Sequence, residues 1–197
     1  MKEQFLNSTI NFLSKYNSYS EHDIKKLKYG LEGIYLTITK LVIILLLSII
    51  LDIFKEVILV LIFFNIIRYF GFEFHAEKSS ECLFLSLINF IIIPFVFIRI
   101  TFPLYISLII CLFCIVNYIL FAPADTIKRP LKNKKKRIVR KILTILTAVI
   151  YMSIIIIFKS NYLTSIILNA LIVQVIMVCP ITYKMFRQPY NNYKKIS

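Results

Sequence analysis

Acids, glycine and histidine are scarce in this chain of 197 residues, which holds ten Asp+Glu, three glycines and two histidines. After Glu81 the only acid is Asp125, a lone carboxylate that calls for a specific partner such as a loop arginine or a helix amino end. The first 33 residues contain no apolar core of about 7–15 residues followed by small ones, so no cleaved signal peptide is expected. Internal repeats and low-complexity linkers are also missing, which argues for one membrane domain. The four cysteines, Cys82, Cys111, Cys114 and Cys179, lie in or beside apolar runs, unlike a secreted disulfide framework, and read as thiols. Cys111 and Cys114 form a CxxC with no strand, histidine or acid nearby, which favours buried helix thiols over a redox or zinc site. A formal charge of +14 would suit nucleic acid, but no face interleaving bases and aromatics lies outside the apolar segments, and nucleic-acid binding is excluded on that ground.

What remains is oil. Apolar residues make up 59% of the chain and mean hydropathy is +0.79, far above a soluble domain. The composition predicts an all-α integral membrane protein. Six apolar segments stand at roughly 34–53, 57–67, 82–98, 102–122, 142–158 and 163–181, judged against the ~20 residues needed to cross a bilayer. The second is short. It crosses only by borrowing Arg68 to Phe74, or it stops inside the membrane as an irregular or re-entrant segment lining a cavity. Ahead of the spans, Leu6, Ile10 and Leu13 share one helical face, which suits an interfacial helix or, equally, a partly ordered tail. Ser20 with Asp23 resembles a capping box, so a second helix is expected to start there and feed the first span. The domain plan is an amphipathic cytoplasmic segment at 1–33, a six-span membrane unit at 34–181 with a basic loop at 123–141, and a basic tail at 182–197. Tyr183, Tyr190 and Tyr193 among the tail's basic residues read as an interfacial anchor.

Lys and Arg are distributed unevenly among the connections. The amino end carries five, the second connection Arg68 and Lys78, the fourth connection nine between Lys128 and Lys141, and the tail four. The other three connections hold Lys55, Arg99 and Lys159. Both termini, and the stretch from His75 to Cys82, are therefore expected on the cytoplasmic side.

That stretch concentrates the chemistry. Between Arg68 and Cys82 the chain places an arginine, a lysine, three glutamates, two serines, a histidine and a thiol, a density that near lipid points to function. A cysteine becomes a nucleophile when a base takes its proton or a positive field lowers its pKa from about 8.5. His75 is the only histidine outside the amino-terminal segment, so His75 and Cys82 form a candidate dyad. Seven residues of unbroken helix rise about 10.5 Å, and side chains lean toward the amino end. The helix must break between the two for them to meet. Ser79 or Ser80 is a suitable N-cap, which would put Cys82 in the first turn, where backbone N–H groups and the dipole favour a thiolate and could stabilise an oxyanion. Glu73, Glu77 and Glu81 are candidates to orient His75, and nothing in the spacing chooses among them. Arg68 could pair with one of these acids or hold a substrate carboxylate. The alternative is structural: an anchoring histidine and a packed thiol. One histidine and one cysteine supply only two metal ligands, so neither metal nor cofactor is expected.

Three stretches resemble the accessory gene regulator protein B (AgrB) family. KKLKYGLEGIYLTITK (25–40) is similar to the family's lead-in to its first span, RYFGFEFHAEKSSEC (68–82) has its Arg, His-Ala and Cys at matching spacing, and APADTIKRPLKNKKKR (122–137) resembles its Pro-Ala-Asp-Thr stretch before a basic loop. The resemblance implies a membrane cysteine endopeptidase of Gram-positive bacteria that processes a quorum-sensing propeptide of the AgrD type. It implies that His75 deprotonates Cys82, that a thioester acyl-enzyme forms, and that a cysteine or serine within the peptide then closes a thiolactone or lactone ring. It also implies a homodimer. One departure is Glu73, which stands where members commonly carry glycine; it could alter the turn or supply the orienting carboxylate.

The basic run has two readings. Lys128, Arg129, Lys132, Lys134, Lys135, Lys136 and Arg137 either set topology and attract anionic membrane lipids, at about 1 kcal/mol per charge near the surface, or dock the acidic tail that the resemblance implies for the propeptide. The competing function class is a non-enzymatic exporter or assembly factor whose His75 region gates or docks a peptide.

Overall fold

Apolar runs with few breakers fold as helices, and among the described residues there is no strand. The structure, a computed structural model, describes residues 2–15, 19–74, 79–126 and 130–195. The chain forms two compact units, 1–46 and 47–197.

In the first unit, α1 (Lys2–Ser14) lies against the amino-terminal part of α2 (Glu21–Ile50). The expected apolar face is there: Leu6 is buried and Phe5 meets Tyr35 with ring centroids 5.4 Å apart. Two ion pairs flank it, Lys2 with Glu32 at 2.6 Å and Lys28 with Glu3 at 3.1 Å. The capping box also forms. Ser20 Oγ accepts the Asp23 N–H at 3.2 Å and donates to the Asp23 carboxylate at 2.6 Å, satisfying an otherwise orphaned donor at the helix start.

The second unit begins with the end of α2, closed by Asp52 in the left-handed region (φ 55°) and the Ile53 N–H bonded back to the Ser48 carbonyl at 2.9 Å, a Schellman-type stop. α3 (Phe54–Gly71) follows at once. It borrows Arg68 to Gly71 and gains Phe54 to Glu56, reaching 18 residues, or about 27 Å. Its buried face, Val57, Val60, Phe64, Ile67 and Gly71, packs mainly on α8 and α7.

α4 (Ser79–Leu87), a π turn (Ile88–Ile92) and α5 (Ile93–Phe97) make one helical run. The π turn has a local cause: Pro94 has no N–H and its ring clashes with the carbonyl four residues back, which a widened turn relieves. α6 (Leu104–Phe121), α7 (Lys134–Phe158) and α8 (Asn161–Val178) complete the bundle. A two-residue turn joins α7 to α8, with Lys159 left-handed (φ 47°) and Ser160 Oγ accepting the Leu163 N–H. Among the described residues, α2, the α4–α5 run, α6, α7 and α8 are long and apolar enough to cross a membrane.

The pattern is that of a membrane bundle. On α6 the buried stripe is Ser107, Cys111, Cys114 and Tyr118, while Ile109, Leu112, Phe113, Val116 and Leu120 are exposed, so small and polar groups pack inward and large apolar ones face lipid. The CxxC is thus two buried helix thiols. α8 has no lipid face over most of its length; nearly every residue from Thr164 to Val178 is buried, which makes it the central helix.

Candidate active site

The site is built where α3 stops. Gly71 ends the helix against α8, and a Cβ there would stand 2.7 Å from Gln174 Nε2 and 3.3 Å from Thr144 Cγ2, so a residue without a side chain is what the packing admits. Phe72 then takes φ 53° and ψ −175°, a region nearly closed to L side chains and worth roughly 1–3 kcal/mol of strain. The neighbours hold it there. Gln174 Nε2 donates to the Phe72 carbonyl at 2.6 Å, the Phe74 N–H donates to the Met177 carbonyl at 3.0 Å, and the Ala124 N–H donates to the Gly71 carbonyl at 3.0 Å. Phe74 is buried between the rings of Tyr183 and Phe186.

Arg68, in the last turn of α3, reaches forward to Glu73: Nη2 and Oε1 are 2.6 Å apart, with the arginine side chain 37% exposed and the glutamate 9%. Arg140 of α7 donates to the Tyr69 carbonyl at 2.8 Å and stacks over the Phe72 ring at 4.2 Å, which sets a cation at the negative end of α3. These residues, with Asn65 and Thr126, line a cavity of about 390 Å³.

Cys82 sits in the first turn of α4, partly buried, and its carbonyl accepts the Ser86 hydroxyl at 2.8 Å. Within the described residues α4 runs from Ser79, and the expected cap at Ser79 or Ser80 borders residues that lie outside them. Glu81 is partly buried and Ser80 exposed. His75 and Glu77 lie outside the described residues, as do Lys128 and Arg129.

The Pro123 loop closes the far wall. Asp125 is 2% exposed; its carboxylate accepts the N–H groups of Asn192 at 2.9 Å, Tyr193 at 2.8 Å and Leu131 at 3.4 Å, and its carbonyl accepts the Tyr183 hydroxyl at 3.0 Å. The expected partner of this lone acid is therefore a helix amino end, that of the short 3₁₀ turn Asn192–Lys195. Tyr183 is buried and Tyr190 donates to the Phe121 carbonyl at 3.1 Å, so the tail folds back onto the end of α6 and the loop after it. Burial pushes the Tyr190 phenol up to about 12 and Tyr183 further. The basic run is loop only as far as Asn133, whose side chain caps α7 through the Lys136 N–H. Lys132, Lys134, Lys135 and Lys136 are exposed. Arg137 instead stacks on Tyr193 at 3.3 Å.

A family model, Accessory gene regulator B, matches residues 6–178. The chain belongs to the accessory gene regulator B family. Among curated AgrB-like relatives, a putative AgrB-like protein of Clostridium acetobutylicum is 32% identical over 183 residues, covering 92% of this chain and 87% of that protein. Another from Listeria monocytogenes serotype 4a is 30% identical over 175 residues, 89% of this chain and 86% of its own length. The accessory gene regulator protein B of Staphylococcus carnosus is 26% identical over 139 residues, 69% of this chain and 73% of that protein. No solved structure matches. For this AgrB family member the structure brings Arg68 and Glu73 together at the mouth of the cavity, and it adds residues that the motif did not point to. Arg140 stands inside a basic run, and Gln174 belongs to none of the motifs singled out in the sequence. The available signal for Gln174 was an amide inside an otherwise apolar helix.

Proposed function

We propose that the chain is a membrane cysteine endopeptidase that cuts an AgrD-type propeptide and closes a ring from it, with Cys82 as nucleophile and His75 as general base. His75 takes the thiol proton, and the thiolate attacks a peptide carbonyl carbon. The carbonyl oxygen becomes an oxyanion facing the N–H groups at the amino end of α4. Collapse breaks the C–N bond, the leaving amine takes the proton from His75, and the amino-terminal part remains as a thioester on Cys82. A cysteine or serine of the bound peptide then gives its proton to His75 and attacks the thioester, expelling the Cys82 thiolate, which takes the proton back from His75, and releasing the thiolactone or lactone. Low water activity beside lipid favours this over hydrolysis. The reading carries with it a homodimer, with termini and site on the cytoplasmic side of a Gram-positive cell membrane.

The observation that carries the reading is Cys82, seven residues after His75 in the chain, in the first turn of α4, in a chain of this family. The cavity at Arg68, Glu73 and Arg140 offers room for substrate side chains. The basic residues Lys132 and Lys134 to Lys136, with Lys128 and Arg129, would draw an anionic propeptide segment or anionic lipid. Co-expression with the propeptide encoded beside it tests the assignment: Cys82→Ala abolishes cleavage, and Cys82→Ser lowers it by at least about 100-fold because an alcohol is a far weaker nucleophile at neutral pH. Cleavage undiminished in Cys82→Ala would sink the protease and leave an exporter or assembly factor.

A further inference from the structure

The cavity at the end of α3 carries more positive charge than its own wall cancels. Its charged lining residues are Arg68, Glu73 and Arg140, and Glu73 pairs with Arg68 at 2.6 Å. One guanidinium is therefore left without a counterion in the wall. It is that of Arg140, which has no carboxylate partner among the described residues. Arg140 gives one N–H to the Tyr69 carbonyl at 2.8 Å and lies 4.2 Å from the centre of the Phe72 ring, two contacts that hold the side chain in place. A guanidinium has five N–H donors in a planar fork that matches two oxygens of a carboxylate or phosphate, so most of its donors face a ligand rather than the protein.

The surroundings of the cavity narrow the ligand. Ile62, Asn65, Ile66 and Tyr69 fall at i, i+3, i+4 and i+7 along α3 and all are exposed, so they form one outward face. Asn65 and Tyr69 belong to the cavity wall, and the two isoleucines continue that face along the helix, away from its charged end. The cavity itself lies at the edge of the apolar bundle, where the last carbonyl of α3 takes the Ala124 N–H beyond the end of α6 and the basic first turns of α7 give way to apolar ones. Basic pockets between helices at that level suit lipid headgroups, and an exposed tyrosine such as Tyr69 belongs at the same level. A peptide carboxylate would answer the charge and leave the isoleucines bare. A zwitterionic headgroup brings its own cation and does not match the surplus.

We propose that in the absence of substrate this cavity holds an anionic glycerophospholipid, its phosphodiester at Arg140 and Arg68 and an acyl chain against Ile62 and Ile66. The single negative charge of a phosphodiester equals the surplus in the wall. Native mass spectrometry of protein purified in a neutral detergent tests this, with dioleoylphosphatidylglycerol as the probe. Wild type is expected to bind the probe saturably, and Arg140→Gln to bind it about tenfold more weakly, as for the loss of one charge-assisted fork. Lys135→Gln, which removes an exposed charge from the same helix, keeps wild-type binding, and dioleoylphosphatidylcholine binds wild type no better than it binds Arg140→Gln. Equal losses in the two variants would mean diffuse attraction by the basic run and overturn the site. Glycerol 3-phosphate, a headgroup without chains, is expected not to compete at the probe's concentration; full competition would make this a site for free phosphate and overturn the lipid. Binding of a short glutamate-rich peptide that is lost in Arg140→Gln, with no preference between the two lipids, would give the cavity to a peptide carboxylate and overturn it equally. Should Arg140→Gln fail to accumulate as folded protein, wild type carries the test. A phosphatidylglycerol with a diazirine in its acyl chain is expected on illumination to label Ile62, Ile66 or Tyr69, and excess unlabelled lipid to suppress that labelling. Labelling confined to other helices, or undiminished by the unlabelled lipid, overturns the proposal.

Discussion

At the residue scale, the carboxylate of Glu73 shows how position and partner divide the work. An acid with its side chain 9% exposed would be costly alone, and the Arg68 guanidinium 2.6 Å away neutralises it. The pair spans the point where α3 ends and the chain turns, so it holds the turn as well as the charge. Arg68→Met therefore leaves a largely buried carboxylate without its cation. It is expected to cost about 1–3 kcal/mol, less than the roughly 3–5 of a fully buried pair because Arg68 keeps one side in solvent. Thermal unfolding in detergent measures it, and Arg68→Met combined with Glu73→Gln should recover most of the loss; a double variant as unstable as the single would mean that the arginine acts elsewhere. The resemblance flagged Glu73 as a departure from glycine, but sequence left three acids open as partners of the site. Only the geometry at the end of α3 joined this one to Arg68.

At the element scale, the segment after α8 behaves as a strap across the Pro123 loop. Asp125 receives three backbone N–H groups, and charged acceptors of this kind contribute about 1.5–3 kcal/mol each when formed. Asp125→Ala should release the 3₁₀ turn first, since that turn has few bonds of its own. Limited trypsin digestion reads this directly: cutting after Arg187 and Lys194 is expected to speed up at least about tenfold, with the helices intact. Unchanged cutting would mean that the Tyr183, Tyr190 and Arg137 contacts hold the tail without the acid. The sequence named the helix amino end as one partner for this acid. It did not reveal that the tail supplies it, because Asp125 and Asn192 meet only when α6, α7 and α8 have packed.

At the scale of the whole molecule, large apolar side chains are exposed along the helices, and Ser107, Thr144, Thr164, Ser165, Asn169 and Gln174 are buried among an apolar core, as in a bundle that faces lipid. The charge bias among connections predicts the orientation. A single added cysteine at Lys159, in the α7–α8 turn, should react in intact cells with a membrane-impermeant thiol reagent, and one at Lys132 should not. The reverse labelling would invert the topology and put the proposed site on the outer face.

Class, helix content and the approximate position of each apolar segment could be read without any contact, because hydropathy is a sum over neighbours in the chain and lipid rewards it directly. The segments at 34–53, 102–122 and 163–181 correspond to parts of α2, α6 and α8. Charge extended the helices beyond those limits, as at the start of α7, where Lys and Arg are good helix formers in their own right. What tertiary structure alone decided is which helix is central. The hydropathy of α8 is spread round its circumference, so its sequence announces no single face; enclosed by α3, α5, α6 and α7, it becomes the element from which Gln174 and Met177 bond to the Phe72–Phe74 segment and to Asn89.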